Sequence, residues 1–509
     1  MGRYAALQRS PPIPAAEELK KGPAVEAAAA AAETLKDRDL PFDNGHVLTF
    51  RVTGASSVAR LEPLLLNHNR GNRRQASWRR ALSSDGGGNS PAAASAQLDF
   101  VWETTVTKDQ HQQHRNARVL NRLSGAQVLE DKANLVLLQR LMTAPTLKSY
   151  VAHGRKTVAQ WAHLRFQQRN KPLDGPPIPP RAPSAGVLVD GDRTSRHDGT
   201  TTRDAKAVTT TTVVPETVAE ASVAAAEVGD GGAGGEDWWC VKAAGGNGGL
   251  DIWVLHEGNW KPVTEGLSDN EIYVIQRYVA RPLLWHGRKF HFRVYALLRA
   301  DMSAWLYRTA YILSASQPYS LGKKTNGGAS PAAEFEGAAP VGFADELVHI
   351  SNLAVNKHTA GHPGQVPCDL PSEYPALWPE MLELLRSLVQ AATPFMQYQA
   401  SPNHFEFLGL DIIADRAGGV WLMEVNRLPG LQSSKQNLEE ENQVYDGMMQ
   451  DILRLLVLPA LTGCPSEPGK FEVAASPASS ATSPSTETWR NVMRFAAFKR
   501  SCRTKASLS

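Results

Sequence analysis

Residues Asn403–Leu431 read NHFEFLGLDIIADRAGGVWLMEVNRLPGL, and the fold turns on how this stretch pairs with itself. Phe405–Ala414 alternates or runs apolar, and Val420–Asn426 does the same. Between them, Arg416-Ala417-Gly418-Gly419 has the composition of a turn joining two antiparallel strands. If Asp415 faces Val420 across that turn, counting back sets Asp411 opposite Glu424, with Cβ atoms about 5 Å apart. Strand alternation then puts Leu422, Glu424 and Asn426 on one face. Two carboxylates and an amide carbonyl converging from a sheet face make an oxygen site for a hard cation, most naturally Mg²⁺ carrying phosphates. The plainer reading is two acids that merely end their strands. A glutamate between Met423 and Val425 in an apolar strand needs a partner, however, and that favours the metal.

The segments around the hairpin supply what such a site needs. Arg288–Leu298 (RKFHFRVYALL) is a strand in which Lys289, His291 and Arg293 alternate with Phe290, Phe292 and Val294. One face is core and the other a row of cations; a solvated sheet face is the ordinary alternative. In Ala304–Leu313, another strand, Arg308 shares its face with Ala304, Leu306, Ala310 and Ile312, so it is aimed into a pocket or paired. Trp238–Lys242 is a strand ending in a lysine, Ala243–Gly249 is glycine-rich, and Asp251–Leu255 is a strand again. Glycines let backbone N–H groups approach phosphates and lysine adds a point charge, although glycine loops also join many hairpins. Ile272–Ala280 is a further strand. In His349–Lys357, His349 and Asn352 suit either ligand contact or a capping role. Pro379–Ala392 and Leu438–Leu458 are amphipathic helices; the first carries Met381, Leu384, Leu385 and Leu388 on its apolar side.

The chain has 509 residues, room for about two or three domains. The reading places a disordered Ala/Pro-rich arm at 1–40 and a small α/β domain at 41–170, with strands at 46–52 and 99–102. Its helices are read at 57–67, interrupted by Pro63, at 125–142 and at 150–169. A low-complexity linker follows at 171–236, then the main domain at 237–460. A flexible tail at 461–509 ends in a basic amphipathic stretch from Trp489 to Lys505. The net charge of +3 argues against a dedicated nucleic-acid binder. Four scattered cysteines without a CxxC pair suggest neither a zinc site nor a disulfide framework, and fit a reducing compartment. No run of apolar residues is long enough for a membrane span, and no secretory leader is apparent.

Taken in order, GRKFHFRVYALL, AWLYRTAYILSASQPYS, HISNLAVNK and FEFLGLDII followed by WLMEVNRLPGL resemble the tubulin-tyrosine ligase-like family over about residues 237–458. NRLSG and DKANLVLLQRL, within 121–141, are similar to the N-terminal domain of tubulin-tyrosine ligase itself. The resemblance implies an ATP-grasp fold with antiparallel sheets. It also implies an ATP- and Mg²⁺-dependent ligase that adds an amino acid to a protein tail through an acylphosphate. Tyrosine is the favoured donor and tubulin the favoured acceptor, or another protein with an acidic C-terminal tail, in a cytoplasmic, cytoskeleton-associated setting. Glutamate or glycine ligation, a tubulin-binding pseudoenzyme, and a small-molecule ATP-grasp ligase are the alternatives.

Carried onto this sequence, Lys242 holds phosphates, and Gln276, Arg277, Tyr278 and Val279 line the adenine pocket. Lys289, Arg293 and Arg308 gather the γ-phosphate, acceptor carboxylate or amino acid, and Asp411, Glu424 and Asn426 bind Mg²⁺. Arg277 stands where the family usually has lysine. His291 replaces the aspartate of its KFDxR pattern. Leu250-Asp251-Ile252 departs from its Gly-Ile loop ending, and Asn426-Arg427-Leu428-Pro429 from its Asn-Thr-Ser-Pro.

Overall fold

Strands β1 (Val47–Val52), β2 (Ser77–Arg80), β3 (Phe100–Trp102) and β4 (Val119–Leu120) form a parallel sheet of order β2-β1-β3-β4. Parallel pairing requires crossovers, and the helix Ala55–Asn67 supplies the first, burying Leu61 and Leu65 while Pro63 faces solvent. The computed structural model describes residues 47–67, 77–81, 98–104, 114, 116–167, 237–246, 248–321, 346–396, 401–434 and 436–477. The expected arm, the whole of the expected linker and the basic C-terminal stretch lie outside these residues. Among the described residues no helix is long and apolar enough to cross a membrane.

The single helix expected at 125–142 is two helices, Gln127–Glu130 and Lys132–Gln139. Asp131 breaks them: its backbone is extended and its side chain accepts from Asn134 N, capping the second helix. The helix expected from Tyr150 begins instead with a strand, β5 (Ser149–His153), followed by the helix Gly154–Gln167. Gly154 has φ +63°, and a Cβ there would meet Asp269 O at 2.4 Å, so glycine alone makes this corner. β5 pairs with a strand more than a hundred residues later. It joins β6 (Trp239–Ala243), β7 (Ile252–Leu255) and β8 (Ile272–Arg277) in an antiparallel sheet of order β5-β8-β6-β7. Trp161 packs edge-on against Trp239 at 4.9 Å, so residues 149–167 share a core with the glycine-loop strands, not with the parallel sheet.

The larger sheet has eight strands: β9 (Leu284–Trp285), β10 (Arg288–Arg299), β11 (Ala304–Tyr307), β12 (Thr309–Ser314), β13 (Gln365–Asp369), β14 (Phe405–Ala414), β15 (Val420–Asn426) and β16 (Phe471–Ala475). All its pairings are antiparallel, and β10 pairs with β9, β11, β12 and β14. One face of β10, from Phe290 to Leu298, packs against the helix Trp378–Ala392, whose Met381, Leu384, Leu385 and Leu388 are buried. Each such side chain contributes about 1.5–3 kcal/mol by leaving water. The other face changes character along its length. Lys289 and His291 face a cleft, whereas Tyr295 and Leu297 enter a second core with the helix Leu438–Ile452. That helix passes through a π-helical turn at Leu453–Val457 into Leu458–Thr462.

Two further expectations are corrected. Ala304–Leu313 is not one strand: it bends at Arg308, whose backbone N–H donates to Lys470 O. The tail expected from 461 contains β16, which pairs with β11 at the sheet edge. Its Phe471 and Ala475 are buried against that edge, a signal too short to stand out among Pro, Ser and Thr.

Candidate functional site

The hairpin β14–β15 reaches the expected pairing by a different route. Ala414, not Asp415, faces Val420, and a bulge between Ile412/Leu422 and Asp411/Glu424 takes up the extra residue, Met423. Asp415 is used in the turn: its carboxylate accepts from the N–H groups of Ala417 and Gly419 and from Trp421 Nε1. The bulge also overturns the shared face proposed for Leu422. Leu422 and Val425 are in the core, while Met423 and Glu424 face a cleft. Asp411 is opposite Glu424 all the same.

This cleft, about 620 Å³ and partly open to solvent, lies between the two antiparallel sheets. Lys242 enters from β6, Gln276 and Arg277 from β8, and Tyr278 and Val279 from the residues just after it. Lys289 and His291 enter from β10, Asp411 from β14 and Glu424 from β15. His349–Asn352 crosses one side, and Leu147, Ile252, Val254 and Ile413 add apolar wall, suited to a flat ring. Asn352 starts a helix without using its side chain as a cap. That side chain lies against Gly249 instead, where a Cβ would meet it at 2.7 Å.

Three expected site residues are not in the lining. Arg293 stands behind it, donating from Nε and Nη2 to both oxygens of Asp411 at 2.5 and 3.2 Å. Asn426 pairs with Gly409, and its Nδ2 is buried without a hydrogen-bond partner. Arg308 lies elsewhere, half-exposed and 4.0 Å from Asp369, because the bend that separates β11 from β12 falls on it.

The cations are held in place. Lys242 Nζ donates to Gln276 Oε1 at 2.8 Å, and Gln276 Nε2 to Ser149 Oγ at 3.1 Å. Lys289 Nζ donates to His349 O at 2.8 Å and sits 4.1 Å from the Tyr278 ring centroid. Burial draws the Lys289 ammonium down to about 7, Cys240 opposing and Lys242 adding to the shift. Burial likewise lowers His291 and His349 to about 4 each, so both rings are neutral near pH 7. For Asp411, burial alone would raise the carboxyl; Arg293 and His291 outweigh it and hold it below the usual carboxylate range. Arg277 is drawn outward to an ion pair with Asp237 and over the Trp239 ring.

Lys132 is a residue sequence reading missed. Its ammonium lies 3.2 Å from Glu424 Oε1 and donates to Gly246 O in the glycine loop. The break at Asp131 places it there, at the first position of the second helix; nothing local links residue 132 to residue 424. Arg427, expected beside the site, is instead buried against Glu406 through Nε and Nη2 at 3.0 and 3.1 Å.

The donor set can be tested for Mg²⁺. Among the described residues no three His, Cys, Asp or Glu side chains form a ready-made metal cage. Mg²⁺ does not need one, since it is commonly held by one or two carboxylates with phosphates and water completing its shell. The facing acids Asp411 and Glu424 fit that requirement; the unpartnered atom of Asn426 is its amide Nδ2, a donor and not a cation ligand.

The sequence model of the tubulin-tyrosine ligase family matches residues 189–463. The "probable tubulin polyglutamylase TTLL9" of Bos taurus is 28% identical over 221 residues, 40% of this chain and 42% of that protein. Tubulin polyglutamylase TTLL6 of Homo sapiens is 24% identical over 217 residues, covering 38% and 22%. A probable tubulin–tyrosine ligase of Schizosaccharomyces pombe is 23% identical over 195 residues, covering 38% and 44%. The chain thus spans less than half the length of each of these relatives.

Proposed function

Because this chain belongs to the tubulin-tyrosine ligase family, we propose that it is an ATP-dependent ligase joining a free amino acid to an acidic protein tail, with tubulin as acceptor and glutamate as donor. The observation that carries this reading is one cleft uniting a glycine loop, Lys242, Lys289 and the facing carboxylates Asp411 and Glu424. The sequence expectation favoured tyrosine. Two of the three relatives described above are named as polyglutamylases, which favours glutamate. Work on tubulin would associate the protein with the cytoskeleton.

In this reading ATP and Mg²⁺ supply the phosphoryl group that activates the acceptor carboxylate and the divalent charge that offsets the transfer. Asp411, Glu424 and Asn426 hold the cation. Lys242, steadied by Gln276, and the N–H groups of the glycine loop meet phosphate oxygens. Lys132 spans that loop and Glu424, so its charge is shared between phosphate and metal sides. Gln276, Arg277, Tyr278 and Val279 bound the base. Lys289, drawn down to about 7 by burial, is about half-protonated near pH 7 in the free cleft and becomes fully charged when an anion arrives. Arg293 keeps Asp411 ionised. The apolar walls limit water, which would otherwise compete with the amine.

The test is incorporation. Purified protein is incubated with ATP, Mg²⁺, intact or detyrosinated tubulin, and labelled glutamate, tyrosine or glycine in separate reactions. Label from glutamate on tubulin is expected. Label only from tyrosine on detyrosinated tubulin would return the donor to tyrosine, and tubulin binding without incorporation would make the chain a pseudoenzyme.

A further inference from the structure

Lys132 meets Glu424 and the glycine loop from outside both antiparallel sheets, so whatever fixes its backbone fixes that charge. The helix it begins is tied at its far end, where Gln139 Nε2 donates to Leu422 O at 3.0 Å. Its near end follows the break at Asp131 and the short helix Gln127–Glu130. Upstream of that short helix the chain is clasped by Glu406. Leu123 N–H donates to Oε2 at 2.8 Å and Arg122 Nη1 to Oε1 at 3.3 Å. Arg427, the residue after Asn426, donates to the same two oxygens. Asn121 adds a second hold: its Oδ1 accepts from Glu103 N at 2.6 Å and its Nδ2 donates to Glu103 O at 3.2 Å. Glu406 precedes Asp411 by five residues on β14, so the clasp lies about 17 Å along the strand from the facing acids. Glu130, in the short helix, feels both places: burial raises its carboxyl, Arg427 and Arg122 oppose the shift, and Glu406 and Glu424 add to it.

We propose that Glu406, with Arg122 and Arg427, is a positioning device: it sets the register of Leu123–Lys132 so that the Lys132 ammonium reaches Glu424 and the glycine loop. The proposal rests on reading the cleft as a metal–nucleotide site and names what holds one of its cations in place. A buried ion cluster stabilises a fold no better than apolar side chains of similar volume, and its best attested use is to fix register. The cluster has the form that use needs. Both oxygens of one carboxylate are spent on the two segments being aligned, with a directionality that hydrogen bonds enforce and apolar contacts lack. It also has a cost that stability alone does not explain, since Arg122 Nε and Nη2 and Arg427 Nη1 are buried without a partner. Arg427 stands in the stretch where the family pattern has Asn-Thr-Ser-Pro, so its part in the clasp belongs to this chain's own sequence.

The experiment titrates the full chain calorimetrically, in Mg²⁺, with AMP-PCP (whose bridging atom is carbon, so it is not hydrolysed there) and separately with AMP. The triple replacement Arg122→Met, Glu406→Leu, Arg427→Met keeps the volume and removes the register. It is expected to weaken AMP-PCP about tenfold, as Lys132→Met does, and to leave AMP, which lacks the phosphates Lys132 serves, within about twofold. Adding Lys132→Met to the triple variant should bring no further loss, because the two changes remove one interaction. Arg122→Met alone leaves Glu406 paired with Arg427 and strands no buried charge. It should weaken AMP-PCP about threefold, lose that effect in the Lys132→Met background, and decide the question if the triple variant does not fold. Unchanged AMP-PCP affinity in the folded variants, equal weakening of AMP and AMP-PCP, or losses that multiply with Lys132→Met overturn the positioning role and leave the cleft reading standing. Failure of the wild-type protein to bind AMP-PCP with Mg²⁺ at all overturns both.

Discussion

Glu406 and Asp411 sit on the same strand, each faced by an arginine, yet one is closed in by protein and the other opens on a cleft. Glu406 takes Arg427 Nε and Nη2, Arg122 Nη1 at 3.3 Å and the backbone N–H of Leu123 at 2.8 Å, and all three charged residues are buried. Its acceptors are filled; the surplus is on the donor side, where Arg122 Nε and Nη2 and Arg427 Nη1 have no partner. Asp411 and Glu424 are held more lightly, by Arg293 and Lys132, and Asn426 Nδ2 and His291 Nε2 beside them have no partner. The first cluster welds the N-terminal segment Asn121–Leu123 to the sheet. The second lines the cleft through Asp411 and Glu424, where a ligand can reach its carboxylates.

Removing the shared acid should break the first cluster with the largest effect. Glu406→Ala leaves two buried guanidiniums without a counter-charge, a loss of about 3–5 kcal/mol. A fall in melting temperature of roughly 10 °C or insoluble protein is expected. The triple replacement Arg122→Met, Glu406→Leu, Arg427→Met should recover most of that stability, because apolar side chains of similar volume often replace a buried ion cluster without loss. A Glu406→Ala protein as stable as wild type would show that the cluster is not what joins these segments.

Glu424→Gln tests the other side. The carboxylate is partly exposed and paired only with Lys132, so the melting temperature should stay within the scatter of surface substitutions, about 0.5 kcal/mol. Turnover of ATP with Mg²⁺ should fall by at least about 100-fold, the scale of losing one charge-stabilising group in an active site. Near-normal turnover would remove Glu424 from the site.

The contrast between the clusters also explains what the sequence could and could not disclose. Asp411 and Glu424 were legible because a hairpin is local: a glycine turn and two apolar runs bring them together. The count from the turn was off by one and the bulge at Met423 restored the pair, so the facing acids were found while Leu422 was put on the wrong face. The alternation of Lys289, His291 and Arg293 was legible for the same local reason. Lys132, Glu406 with Arg122, and the pairing of Ser149–His153 with β8 depend on contacts spanning a hundred residues or more, and no periodicity encodes those. Arg308, read as aimed into a pocket or paired, does not reach the cleft and lies instead 4.0 Å from Asp369, because its apolar neighbours alternate through a bend that their pattern does not reveal.

Lys132→Met sharpens the comparison with a smaller effect. It removes the charge linking Glu424 to the glycine loop while keeping the side chain's apolar length. KM for ATP should rise about tenfold, equal to about 1.4 kcal/mol, with little change in melting temperature. An unchanged KM would reduce the contact to a surface ion pair, which commonly contributes about 0–1 kcal/mol.

The smallest effect is a fraction of one proton, and it separates a charge kept for a ligand from one kept for structure. Burial holds the Lys289 ammonium at about 7, Cys240 opposing and Lys242 adding to the shift, so in the free protein the group is mostly neutral at pH 8. A phosphate arriving beside it favours the charged form and raises its pKa. Nucleotide binding at pH 8 should therefore draw a proton from solution. The uptake should vanish below about pH 6, where the lysine is already protonated in the free cleft. Titration calorimetry in two buffers of different ionisation heat measures it directly. Lys289→Arg keeps a charge throughout this range, because a guanidinium does not titrate there, and should abolish the uptake without abolishing binding. Equal uptake in wild type and variant would mean that the proton goes to another group and that Lys289 does not meet the nucleotide.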